Sequence, residues 1–118
     1  MADHALFIGF GSPRPGRERV AGQNFDDSVA YAEQLKAAGE IESVEIVILN
    51  AHGGDLRGFF LLRGDPAKLA RLSMTPEFQR LALRAGVASE HVGIVNALVD
   101  AEARRSMGAW KEVVAELV

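Results

Sequence analysis

The sequence predicts an α+β fold: an antiparallel sheet with helical crossovers, in the order β-α-β-β-α-β with one further helix at the end. Three observations predict it. Two apolar runs, residues 41–49 and 58–62, are joined by a short loop holding His52, Gly53, Gly54 and Asp55, the pattern of a β-hairpin. Two further apolar runs, residues 5–10 and 91–99, are each separated from that hairpin by a segment of helical periodicity. The length of 118 residues suits one domain, residues 1–118, which would bury roughly two-thirds of its unfolded surface.

Each element has a local reason. The first strand stops at Gly11-Ser12-Pro13, and residues 11–23 read as a polar loop rich in Gly, Pro and Arg. Asn24 is suited to cap the next helix, with Asp26 and Asp27 in its first turn complementing the helix dipole. Phe25, Val29, Ala32 and Leu35 make one apolar stripe, and Gly39 ends the helix. Asp65-Pro66 opens the second helical region, with aspartate at the cap and proline at the first helical position. A break is expected at Thr75-Pro76, because proline disfavours a helical conformation in the residue before it. Leu69, Leu72, Phe78, Leu81 and Leu83 supply its apolar side, and Gly86 is expected to close it. The last helix, residues 101–117, carries Met107, Trp110, Val113, Val114 and Leu117.

Strand alternation adds a quaternary expectation. Val44, Ile46 and Ile48 oppose Val47 and Leu49; Phe59 and Leu61 oppose Phe60 and Leu62; Val92, Ile94 and Leu98 oppose Val95, Ala97 and Val99. A sheet with one wet face alternates apolar and polar residues, whereas this one is apolar on both. The crossover helices cover one face, so the last helix, a second subunit or both must cover the other. A homodimer with sheets facing each other, assisted by the last helix, is therefore expected, with a two-fold axis as the default symmetry.

Composition bounds the chemistry. The chain is 48% hydrophobic and 25% charged, with a net charge of −3, which gives no electrostatic reason to expect nucleic acid or an anionic membrane as partner. It has no cysteine, which excludes disulfides, thiolate nucleophiles and cysteine-ligated metals. His4, His52 and His91 fall in separate elements without metal-ligand spacing, so no metal site is expected. No apolar run approaches the ~20 residues of a membrane span, and the first residues do not read as a signal peptide. A cytoplasmic protein without cofactor is the expectation.

The element order is the ferredoxin-like pattern. With the two-faced strands, the length and the last helix, the chain resembles the dimeric α+β barrel superfamily. Pro15-Gly16-Arg17-Glu18, His52-Gly53-Gly54 and Gly58-Phe59 are similar to small uncharacterised bacterial proteins of that group, including YCII-related and monooxygenase-like ones. The superfamily includes cofactor-free monooxygenases, heme-degrading enzymes, dehalogenating or lactone-processing enzymes and proteins without known activity. The resemblance therefore implies a cleft between sheet and helices in each subunit, and no particular reaction.

Four residues are candidates for a site. A carboxylate beside an imidazole orients it and raises its basicity, so His52 with Asp55 suits a general base. The same residues also suit a turn, which needs positive φ and short polar side chains. Arg17, in the polar loop with Arg14, Glu18 and Arg19, offers a planar fork for an anionic group. Asn96 interrupts the apolar face of Ile94 and Leu98, where a polar group needs a partner or a ligand. Gly9-Phe10-Gly11 lacks the third glycine of a dinucleotide loop, because position 14 is arginine. Arg57-Gly58-Phe59 opens like an RNA-recognition strand but lacks the later stacking aromatics, with Leu61 and Gly64 in their place. The functional expectation is a dimer that binds, and in an enzymatic version transforms, a small organic molecule, with His52 as base, Asp55 as its orienter, and Arg17 or Asn96 positioning the substrate. The alternative is a non-catalytic dimer or protein-interaction module.

Overall fold

Four antiparallel strands form one sheet in the order β2-β3-β1-β4, and helices cover one of its faces (a computed structural model, describing residues 2–117). The elements are β1 (His4–Phe10), α1 (Glu18–Ala37), β2 (Ser43–Ile48), β3 (Gly58–Arg63), α2 (Pro66–Ser73), α3 (Pro76–Ala88), β4 (Gly93–Leu98) and α4 (Asp100–Leu117). The hairpin expected from the glycine-rich loop is present, with Ile48 opposite Gly58 and Val44 opposite Leu62. Gly53 takes its positive φ of 83° there.

Register sorts the strands into two faces, since directly opposed residues point the same way. Leu6, Ile8, Phe10, Val44, Ile46, Phe60, Leu62, Ile94 and Asn96 share the helix-side face. Leu6, Phe60 and Leu62 join Ala32 and Leu35 of α1, Leu69 and Leu72 of α2 and Phe78 of α3 in the buried core. Ala5, Phe7, Gly9, Val47, Phe59, Leu61, Arg63, Val95 and Ala97 share the outer face. Both faces are apolar, as the alternation predicts. The Phe7 and Phe59 rings lie 5.1 Å apart on the outer face, and a Cβ at Gly9 would come within 2.7 Å of the Phe7 ring. Glycine there leaves Phe7 room to lie along the sheet.

The helical caps follow the sequence closely at α2 and α3. Asp65 accepts the Lys68 N–H at 3.1 Å, and Thr75 Oγ1 accepts the Phe78 N–H while donating to the Leu72 carbonyl. Two expectations move. Helix α1 begins at Glu18 instead of Asn24, because Arg14-Pro15-Gly16-Arg17 closes as a turn: Arg17 N–H reaches the Arg14 carbonyl at 2.8 Å, with Gly16 at φ 81°. Proline followed by a positive-φ glycine is the signature of a type II turn, and it consumes the expected loop. Glu18 then accepts the Gly16 N–H and fixes the entry. Helix α3 also runs through Gly86 to Ala88, where the Ser89 N–H still finds the Ala85 carbonyl.

Helix α4 stands apart. It has no buried residue, and its packing within the protomer is against β4. The radius of gyration is 16.0 Å, against about 13.5 Å for a compact domain of this length. Its exit is fixed by Arg63, which donates from Nε to Glu45 at 2.8 Å and from Nη1 to Asp100 at 3.0 Å. The Glu45 hydrogen bond holds the Arg63 guanidinium above its usual range; burial opposes this in part, and Asp100 reinforces it. Asp100 itself has φ 51°, so the chain turns sharply from β4 into α4 at an anchored residue.

Candidate functional site

A cavity of about 80 Å³, partly open to solvent, lies between α1, α3 and the helix-side face of the sheet. Its floor is an aromatic cluster. Phe25 of α1 stands 5.4 Å from Phe60 of β3 and edge-on at 6.2 Å to Phe10 of β1, with Phe10 and Phe60 themselves 5.9 Å apart. Ile8, Ile94, Val92, Phe78, Leu81, Ala82 and Ala85 complete the apolar wall. This is the arrangement expected where bulky strand residues meet a helix pair whose facing positions are small.

Four polar side chains line this space: Asn24, Ser28, Tyr31 and Ser89. Asn24 is the one that matters most. Its Oδ1 is buried and has no hydrogen-bond partner. A buried carbonyl oxygen left unpaired costs about 1–3 kcal/mol, so native structures rarely keep one without a reason. The reason for its position is helical phase. With α1 starting at Glu18, Ala21, Asn24, Phe25, Ser28, Ala32 and Leu35 recur on the side that meets the sheet. Two of those positions are polar where packing alone would favour carbon. No Asp, Glu, Lys, Arg or His lines the cavity.

The four residues singled out in the sequence lie elsewhere. His52 is exposed in the hairpin loop and engages that loop's own backbone: Nδ1 accepts the Gly54 N–H at 3.2 Å and Nε2 meets the Leu56 carbonyl at 2.6 Å. A carbonyl only accepts and an amide N–H only donates, so the hydrogen sits on Nε2. Asp55 faces His91, at 3.8 Å from its Nε2, with both side chains largely exposed. The structure thus brings Asp55 to His91 across two loops, while His52 serves the turn. Arg17 is exposed at the N-cap of α1, and Asn96 is exposed on edge strand β4, opposite Leu6. None of the four lines the cavity.

Asn24 escaped the sequence reading because it was placed at a helix end, where its side chain would cap. The signal was available in Pro15-Gly16, which brings the helix start forward and turns Asn24 and Ser28 into an i, i+4 pair on the inward side. Among the described residues, no three His, Asp or Glu side chains group so as to hold a metal ion, and no helix is long and apolar enough to cross a membrane.

No protein-family model and no curated protein matches the chain. Solved structures do. A dimeric ferredoxin-like protein of unknown function from Jannaschia sp. CCS1 superposes with a TM-score of 0.61 at 13% identity, covering 81% of this chain and 99% of its own. PA3566 from Pseudomonas aeruginosa gives 0.60 at 19% identity, covering 86% and 97%. The chain has the ferredoxin-like fold. The same ferredoxin-like fold is seen in SnoaB from Streptomyces nogalater, a cofactor-independent oxygenase, with a TM-score of 0.51 at 16% identity and coverage of 85% and 94%.

Proposed function

We propose that the protein is a homodimer whose protomers each bind a small, neutral, largely apolar organic molecule between α1, α3 and the sheet. The observation that carries the reading is the unpartnered Asn24 Oδ1 in an apolar cavity. An acceptor held in that way is satisfied by a ligand N–H or O–H, with Ser28, Ser89 and Tyr31 available for a second polar group. The ligand is neutral because the cavity offers no side chain of opposite charge, and an unpaired charge among phenylalanines carries a large desolvation penalty. Its anchored end is small. A cavity of about 80 Å³ is roughly half the ~150 Å³ that holds benzene, so the rest of the molecule extends through the opening.

The dimer part of the reading is supported by the apolar outer face and by fold neighbours described as dimeric. Binding without metal or nucleotide, in a cytoplasmic protein, completes it. If chemistry follows binding, it is of the cofactor-independent kind that SnoaB represents in this fold, with the ligand's own polar group oriented by Asn24.

A calorimetric screen tests the binding. Neutral aromatic and amide compounds bearing an N–H or O–H donor are compared with matched compounds that lack it, against wild type and Asn24→Leu. The reading expects donor-dependent binding in wild type that is lost in the variant. Equal binding of donors and non-donors, or retention by Asn24→Leu, would overturn it.

A further inference from the structure

The protomer exposes more surface than a finished globule of its size. Its accessible area is 7619 Å² for 12.7 kDa, whereas a compact monomer of that mass exposes about 6,200 Å². The excess of roughly 1,400 Å² is at or above what one partner contributes to a stable protein–protein interface, about 800 Å² in a standard one. Some exposed apolar side chains lie elsewhere, such as Ile48, Met74, Leu83 and Val87, and two further groups form extended surfaces. One is the outer sheet face, where Val95 is 58% exposed beside partly exposed Phe7 and Phe59. The other is α4, where Met107, Trp110, Val113, Val114 and Leu117 are 52%, 60%, 51%, 38% and 81% exposed.

These two surfaces are continuous. Arg63 and Glu45 point from the outer face, and Arg63 holds Asp100, so α4 leaves the sheet on that same side. The five apolar residues of α4 fall within an arc roughly 120° wide at about 100° per residue, while Arg104, Arg105, Lys111, Glu112 and Glu116 lie outside it. A stripe that broad suits a flat apolar surface better than a narrow two-helix seam. Its own protomer leaves it uncovered.

We propose that α4 is an arm that grips a second copy of this chain: two outer sheet faces stack about a two-fold axis, and each α4 lays its apolar side along the rim of the partner's sheet. The inference rests on the homodimer proposed above and adds what α4 does in it. It also explains why α4 has an anchored exit and no core contacts of its own. A helix fixed at one end and apolar along one side is oriented for the partner before association, which lowers the ordering cost of binding.

Trp110 is the chain's single tryptophan, so its fluorescence reports on α4 alone. Sedimentation equilibrium and acrylamide quenching are run on the full chain over the same concentration series. The arm predicts a dimer, with Trp110 emission shifted to the blue and quenching several-fold weaker in the dimer than in the dilute monomer. It also predicts that Met107→Glu with Val114→Glu raises the dimer dissociation constant at least 100-fold while far-UV circular dichroism keeps its strand and helix content. A dimer in which Trp110 is quenched as fully as in the denatured chain overturns the arm and leaves the dimer standing. Trp110 burial that follows a dimer-to-tetramer step also overturns it. A monomer at all concentrations overturns both, and because the quenching experiment uses the unaltered chain, a variant that fails to fold does not remove the test.

Discussion

Replacing Asn24 with leucine sets stability and binding against each other. The two side chains are close in size, so the substitution keeps the cavity filled while removing an oxygen that has no partner. Removing a buried unsatisfied acceptor is worth about 1–3 kcal/mol, and leucine adds a few tenths through helix propensity in mid-α1. For a domain of this size, 1 kcal/mol corresponds to roughly 4 °C in Tm. The ligand-free variant is therefore expected to melt about 4–12 °C higher than wild type, measured by calorimetry at matched protein concentration because association also raises Tm. Donor-bearing ligands are expected to bind about 10- to 100-fold more weakly, since their N–H or O–H is left unpaired in an apolar site. A fall in Tm of several degrees would refute the reasoning. It would mean that Asn24 makes a structural hydrogen bond and that its oxygen is not waiting for a ligand.

His52→Ala removes both backbone contacts of the imidazole, so it should increase hydrogen exchange at Gly54 and neighbouring loop amides while leaving calorimetric ligand affinity within two-fold, by about 0.4 kcal/mol or less. A ten-fold loss of affinity would instead give His52 a direct role in the ligand. Thr75→Ala removes the cap of α3 and should cost about 1 kcal/mol in urea unfolding at unchanged m-value. Gly9→Ala forces the Phe7 ring off the sheet, and sedimentation should show a dimer weaker by about five-fold or more, since overpacking of this kind costs about 1–3 kcal/mol.

The strands, the cap at Asp65, the break before Pro76 and the helix end at Gly39 were legible because each depends on residues adjacent in sequence. The two-faced sheet was legible for the same reason: period-two alternation in residues 44–49, 59–62 and 92–99 fixes which side chains share a face once the strands are recognised. The start of α1 was not, because two local signals competed. Asn24 followed by Asp26 and Asp27 looks like a helix entry, whereas the decisive event is the Pro15-Gly16 turn, whose consequence is felt eight residues later at Asn24. That earlier start carries Asn24 from a cap position into the body of α1, which is what hid the cavity's polar side.

The hairpin loop shows the opposite failure. His52 and Asp55 are chemistry-bearing residues close in sequence, yet loop geometry directs them to different partners: His52 to backbone at 54 and 56, and Asp55 to His91 from the loop before β4. Side-chain direction in the loop between β2 and β3 depends on tertiary contacts such as Arg57 N–H to the Phe10 carbonyl, which no spacing rule contains. Asn96 shares the helix-side face with Ile94 but, two residues further along edge strand β4, lies beyond the cavity's lining, and Arg17 sits at the N-cap of α1 outside it; how far a cavity extends along an element depends on packing.

Native mass spectrometry of freshly purified, undialysed protein, run beside Asn24→Leu, tests the central claim most directly. The account predicts a dimer carrying up to two copies of one small neutral mass in wild type and none in the variant. A bare wild-type dimer, or an adduct that Asn24→Leu retains in full, would contradict it.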